Sequence, residues 1–261
     1  MAAVVAGFIL VAPWFAPASA LAQQSRLRVT PDIVRMNTFY GGATLRVEGA
    51  VAAGGKIIVI VRGPKVTETF NQAGRVGPIW VNTGKVTISE VPSLFLVFSS
   101  EPLSACLPRA VIDQYGLNLL AVKKQMLMVC KGRDCGRVAD DYIAYKGTQG
   151  SYRLASGGFR MTQTDPAGAS SASYALDFKL PRCATPGQYE VCAYECRGGQ
   201  IVATSEAPLT VIEVGFPASV AGLASQHASF YGIISVLVTL LAGFGIDLAS
   251  VRLFKRKIAG H

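Results

Sequence analysis

Lys56-Ile-Ile-Val-Ile-Val-Arg62 is β-branched at every interior position and is bracketed by Gly54-Gly55 and Gly63-Pro64. β-Branched side chains pack well on a pleated surface, and glycine and proline punctuate it, so this stretch predicts a strand between turns. Leu27–Val29, Ala43–Val51, Lys85–Ser89 and Leu94–Ser99 repeat the pattern at close spacing. A second β-rich stretch covers 159–214: Tyr174–Leu180, Gln188–Arg197, a turn at Gly198-Gly199, then Ile201–Ser205 and Leu209–Val214. Residues 102–157 between them change character. Pro108–Tyr115 reads as a short helix stopped by Gly116, and Asp134 reads as the N-cap of a helix through Val138, Tyr142 and Tyr145. Both β stretches place an aromatic three residues after a proline at a strand entrance, Phe95 after Pro92 and Tyr189 after Pro186. In immunoglobulin-like sandwiches an aromatic at that corner packs beneath the turn and fixes the strand. The expected fold class is mainly β, an immunoglobulin-like β-sandwich with a helical insertion at 102–157, followed by one C-terminal transmembrane helix.

The ends of the chain hold its excess hydrophobicity; the mean hydropathy is +0.37. Residues 1–22 combine an apolar run, Pro13 and Pro17, and small residues at Ala18-Ser19-Ala20 and Ala20-Leu21-Ala22, which predicts a cleaved secretory signal. No formal charge occurs from Val214 to Ile246, and Phe230–Ile246 is densely apolar. A transmembrane helix is expected over 229–251, joined by a linker at 215–228 to an exported domain at 23–214. Arg252, Lys255, Arg256 and Lys257 follow, so the positive-inside rule places the tail 252–261 in the cytoplasm and the domain in the periplasm of a type I, single-pass inner-membrane protein. Ser235, Thr239 and Gly243 recur every four residues, and Asp247 continues the spacing. Small residues on one ridge let a second helix approach closely, and the expected partner is a transporter span or a second copy of the chain.

The composition speaks against several chemistries. Only two histidines occur, His227 at the membrane edge and His261 at the terminus, so no Ser-His-Asp or Cys-His arrangement and no common zinc or copper ligand set is available to the exported domain. No glycine-rich phosphate loop appears. We therefore expect no enzyme, no catalytic residues, no cofactor and no metal. Residues 23–228 hold 21 basic and 15 acidic residues, a net +6. The densest basic cluster, Lys123-Lys124 with Lys131, Arg133 and Arg137, lacks an aromatic ladder, which argues for a solvated face and against nucleic acid.

Six cysteines, Cys106, Cys130, Cys135, Cys183, Cys192 and Cys196, all lie in the exported domain. An even count in an oxidising compartment predicts three structural disulfides; two bridges with a functional pair, or a thiolate metal site, are the alternatives. Along Gln188–Arg197, Tyr189, Val191 and Ala193 share one face and Cys192, Tyr194 and Cys196 the other. With Tyr189 pointing inward the two cysteines point outward, about 13 Å apart and too far to pair with each other. At least one is expected to reach Cys130 or Cys135 and staple the helical insertion to the sheet.

KIIVIVRGP at Lys56–Pro64, GPIWVN at Gly77–Asn82, SEVPSLFLVF at Ser89–Phe98, PGQYEV at Pro186–Val191 and the closing helix of Tyr231–Phe254 resemble, in the same order, the alphaproteobacterial family of single-pass, periplasm-facing transmembrane proteins. The resemblance implies no catalytic residues. It implies a setting beside sulfite or organosulfonate exporters of the TauE/SafE type, and thus an accessory or interaction protein assisting such an exporter. A thiol-based redox or sulfur-handling protein and a small-anion binding module are the alternatives.

Overall fold

The computed structural model describes residues 27–130, 135–163 and 171–258; the expected signal 1–22, Lys131, Arg133, Asp134 and His261 lie outside the described residues. The chain forms β1 (Arg28–Thr30), β2 (Ile33–Met36), β3 (Ala43–Ala52), β4 (Lys56–Arg62), β5 (Lys65–Val76), β6 (Ile79–Pro92) and β7 (Phe95–Ser99). Three short helices follow, α1 (Leu103–Cys106), α2 (Arg109–Gln114) and α3 (Leu119–Gln125), then β8 (Leu127–Cys130) and α4 (Cys135–Thr148). The second half supplies β9 (Tyr152–Ser156), β10 (Phe159–Gln163), β11 (Ser171–Leu180), β12 (Gly187–Arg197) and β13 (Gln200–Glu213), and ends in α5 (Phe216–Gln226) and α6 (Ala228–Ile258).

One sheet has the order β1-β3-β11-β10 and a larger one the order β2-β13-β12-β4-β7-β9. Strands from the two β-rich stretches are therefore interleaved, β11 on β3 and β12 on β4, and build one composite sandwich. Ile57, Val59 and Val61 of β4 meet Leu45 and Val47 of β3, Leu176 and Phe178 of β11, and Val191 of β12 in the core between these sheets. Ile58 and Ile60 face the other way, into a second core shared with Leu107, Ile112, Leu117 and Tyr142 of the insertion. Covering both faces explains why β4 is apolar without alternation, a pattern that half-exposed strands do not show.

The proline corner is realised once. Tyr189 is 2 % exposed in the sandwich core, and its hydroxyl donates to the Thr185 carbonyl at 2.7 Å and accepts from the Thr185 amide at 3.0 Å. That is the corner geometry of immunoglobulin-like sandwiches. Phe95 enters the second core instead, edge-on to Tyr152 at 6.2 Å, and the Tyr152 hydroxyl closes on the Pro92 carbonyl. The resemblance between the two corners is one of sequence, and their aromatics support opposite faces of one sheet.

Several elements differ from the sequence reading. The insertion is not wholly helical: β8 pairs with β6, and β9 extends the large sheet by running parallel to β7. Four- and five-residue runs carry too little periodicity to be read as strands. Ile201–Ser205 and Leu209–Val214 are one strand through Pro208. There β2 has not yet begun, since it pairs only from Thr210, so the strand edge is open and the missing proline donor is tolerated. The expected helix over Pro108–Tyr115 is α2, capped by Pro108 and Tyr115 and followed by Gly116 at φ 63°.

A long ribbon joins β4 and β7 to the third sheet, β5-β6-β8. The β4–β7 ladder pairs Arg62 with Phe95, Gly63 bonds Leu94, Ser93 bonds Pro64, and Lys65 pairs with Pro92, so the two-stranded path runs without a break into β5 and β6. The ribbon closes at Gly77-Pro78, where glycine takes the φ of 60° that a two-residue hairpin turn asks of its first position. On the inner half of the ribbon, β8 pairs with Val86–Ser89, and Phe70 stands edge-on to Tyr142 and Tyr145 of α4.

Candidate functional site

α6 is apolar on every side. Its segment Ala228–Ser250, 23 residues with a mean hydropathy of 2.1, is long and apolar enough to cross a membrane, and none of the most apolar stretch is buried by the rest of the chain. Phe230, Val236, Leu240, Leu241, Phe244 and Ile246 are all exposed. A helix apolar all round needs either a large protein interior or lipid, and no interior surrounds this one. Gly215, at φ 72°, turns the chain from β13 into α5, which then packs against α6.

Ser235, Thr239, Gly243 and Asp247 stand at four-residue intervals on α6. The Thr239 hydroxyl donates to the Ser235 carbonyl and the Ser235 hydroxyl to the Tyr231 carbonyl, each at 2.8 Å. These hydroxyls satisfy themselves within their own helix, so Ser235 and Thr239 make no polar demand on their surroundings. A side-chain carbon added at Gly243, or at Gly232 or Gly245, would meet nothing within 4 Å. What the ridge offers is room for close backbone approach by another helix.

The cysteines are arranged differently from expectation. Cys130 is bonded to Cys135, with Cα atoms 6.0 Å apart, so the bridge ties the end of β8 to the start of α4. Cys106, Cys183, Cys192 and Cys196 are thiols, and no bridge joins β12 to the insertion among the described residues. The reason is topological. β8 is captured by the ribbon edge, Cys130 opposite Val86, while Cys192 and Cys196 lie on β12 in a different sheet. The face assignment itself agrees with the structure: Tyr189, Val191 and Ala193 point into the sandwich, and Cys192, Tyr194 and Cys196 point away from it, into the second core. Burial pushes the Cys192 thiol up to about 12, helped by the Glu190 carboxylate, and burial together with Cys106 pushes Cys196 up to about 12. Cys106 is raised too, chiefly by burial. Such thiols hold their protons at neutral pH, the opposite of an activated thiolate.

A cavity of about 730 Å³ opens between the end of β4 and the insertion, lined by Arg62, Lys65, Tyr115, Lys124 and Glu190 among others. Two of its cations meet acceptors of the chain: Arg62 faces Glu190 at 3.7 Å and donates to the Tyr115 carbonyl, and Lys65 bonds Glu90 at 2.7 Å. No single stretch of sequence announces this cleft, because four distant segments build it. Lys124 lines the cleft, while Lys123 binds Asp140 of α4. Beside the cleft, Glu190, Cys192 and Glu206 bring one oxygen or sulfur atom each within 4.8 Å of one another. Adjacent strands place them so, Cys192 being paired with Glu206 across β12 and β13. The three hold two carboxylates and a protonated thiol, with no imidazole among them.

Comparison with curated proteins gives no match. A family model matches residues 26–252, which span the whole sandwich, the insertion, α5 and the membrane-crossing part of α6. On that match the chain belongs to the family described as "Putative transmembrane protein (Alph_Pro_TM)".

Proposed function

We propose that this protein is a membrane-anchored accessory protein whose β-domain stands in the periplasm and whose α6 docks on a span of a neighbouring transporter, of the sulfite or organosulfonate exporter class that the family resemblance implies. The carrying observation is the small-residue ridge on an anchor left uncovered by its own chain. The basic residues after the span, Arg252, Lys255, Arg256 and Lys257, support a cytoplasmic tail and hence a periplasmic domain. The buried, proton-holding thiols of Cys192 and Cys196 speak against thiol chemistry there, and the pairing of Arg62 with Glu190 and of Lys65 with Glu90 speaks against anion capture in the cleft. Each four-residue step drifts about 40° round the helix, so the ridge serves a tilted crossing. The full chain, purified from its native membrane in mild detergent, should carry a polytopic membrane protein with it. Gly243→Leu combined with Thr239→Leu should remove that protein while leaving membrane insertion intact. Unchanged association in the double variant would overturn the docking face.

A further inference from the structure

The outer half of the β5–β6 ribbon carries exposed apolar side chains where a soluble hairpin would be polar. Val76, Ile79 and Trp80 surround the Gly77-Pro78 turn and are 58 %, 60 % and 71 % exposed. Residues 71–85 include Arg75 and Lys85 and no acidic residue. Arg75 pairs with Trp80 across the ribbon, and its Nε bonds the Gly77 carbonyl, which keeps the cation at the tip. An amphipathic indole with a cation beside it and no acidic residue near is the composition that settles at the boundary between headgroups and acyl chains of an anionic bilayer.

Strand pairing fixes which way the ribbon points. β4 and β13 are both antiparallel to β12 and therefore run in the same direction. Both leave the large sheet at the same end, β4 into the ribbon and β13 into α5 and the membrane helix α6. Glu190 of β12 faces Arg62 on one side and Pro208 on the other, so those two residues are level. From that level the ribbon has about 45 Å of strand to its tip. The path through the end of β13 and all of α5 covers about 33 Å before α6 begins. The ribbon tip therefore has the reach to arrive at the depth where the anchor enters the bilayer.

We propose that the tip of the β5–β6 ribbon, Val76 to Trp80, inserts into the surface of the same bilayer that α6 crosses, giving the sandwich a second membrane contact. Two contacts hold the domain upright relative to the membrane, where a single helix leaves it free to swing. The inference needs only that α6 spans a membrane and is independent of any protein partner.

The test uses the full chain reconstituted alone in vesicles of phosphatidylethanolamine and phosphatidylglycerol, with Trp14→Phe so that Trp80 is the sole tryptophan of the two in the sequence. Lipids brominated near the headgroup end of the acyl chain should quench most of the Trp80 emission, and aqueous acrylamide should quench little of it. A control chain, Trp14→Phe/Trp80→Phe/Val202→Trp, moves the reporter to an exposed position near the opposite end of β13 and should lose no emission to the brominated lipid. Three results would overturn the proposal: Trp80 quenched by acrylamide and untouched by brominated lipid; Trp80 shielded from both quenchers, as when a second copy covers the tip; or the Val202→Trp reporter quenched by lipid as strongly as Trp80.

Discussion

Cys192 and Cys196 keep their protons in the folded chain at pH values where the unfolded chain would have lost them, because burial raises both thiols from about 9 to about 12. The sign of the linkage follows: the stability these groups contribute is fully present below about pH 9 and falls away between about 9 and 12, as ionisation draws the chain toward the unfolded state. Buried tyrosines add in the same direction, since Tyr142, Tyr152 and Tyr174 are pushed up chiefly by burial. Cys192→Ala should therefore lower the denaturant midpoint at pH 8 yet make its decline from pH 9 to 11 shallower than in the parent; parallel declines would contradict the account. At this scale the sequence was partly legible. Two-residue alternation sorts the side chains of β12 correctly, and the Pro186–Tyr189 corner has its hydroxyl bonds. Alternation cannot tell that both faces are covered, so Phe95 was open to the wrong core and the cysteines, expected to seek partners, sit as buried thiols.

α4 is held to the ribbon by one buried cation. Lys146 is 6 % exposed, its Nζ lies 2.5 Å from the Glu68 carboxylate of β5, and it stands 5.5 Å above the Tyr142 ring. Removing Lys146 leaves the half-buried Glu68 carboxylate, 28 % exposed and partly screened by solvent, without its partner, at a cost of about 1–3 kcal/mol, whereas replacing both with apolar groups of similar size costs far less. Lys146→Ala should thus destabilise the chain strongly, and Lys146→Met with Glu68→Leu should recover most of the loss, as read from denaturant midpoints at one pH; a double variant no better than Lys146→Ala would contradict the pairing. Elements with long uniform patterns were readable from sequence, β4 and α6 above all, and α2 was marked by its flanking Pro108 and Gly116. β8 and β9 were not, because each is an edge strand whose pairing comes from a distant partner. Nor was the ribbon, since its continuity rests on the Gly63–Leu94 and Pro64–Ser93 bonds across what reads as a break between strands.

For the whole molecule, membrane anchoring follows from α6 and from the family. Cys183 is the exposed thiol, with Cys106, Cys192 and Cys196 buried, so it is a built-in reporter on the domain. In intact cells with a permeabilised outer membrane, a membrane-impermeant maleimide should label one cysteine per chain, Cys183, before any lysis of the inner membrane. Labelling that appears only after lysis would put the domain in the cytoplasm. The larger organisation was legible only in outline: hydropathy located the anchor and glycine-bounded strands announced a sandwich, but the shared departure of ribbon and anchor from one sheet end depends on strand order, which no local pattern encodes. The central claim is that the Gly243 side of α6 meets another membrane protein. Positions 243 and 241 lie about 200° apart round the helix, on opposite sides. A photo-crosslinking amino acid placed at each in turn, in the native membrane, tests the claim most directly. The account predicts an adduct with a polytopic membrane protein from position 243 and none from position 241; equal adducts from both positions, an adduct with a second copy alone, or lipid adducts only from both would contradict it.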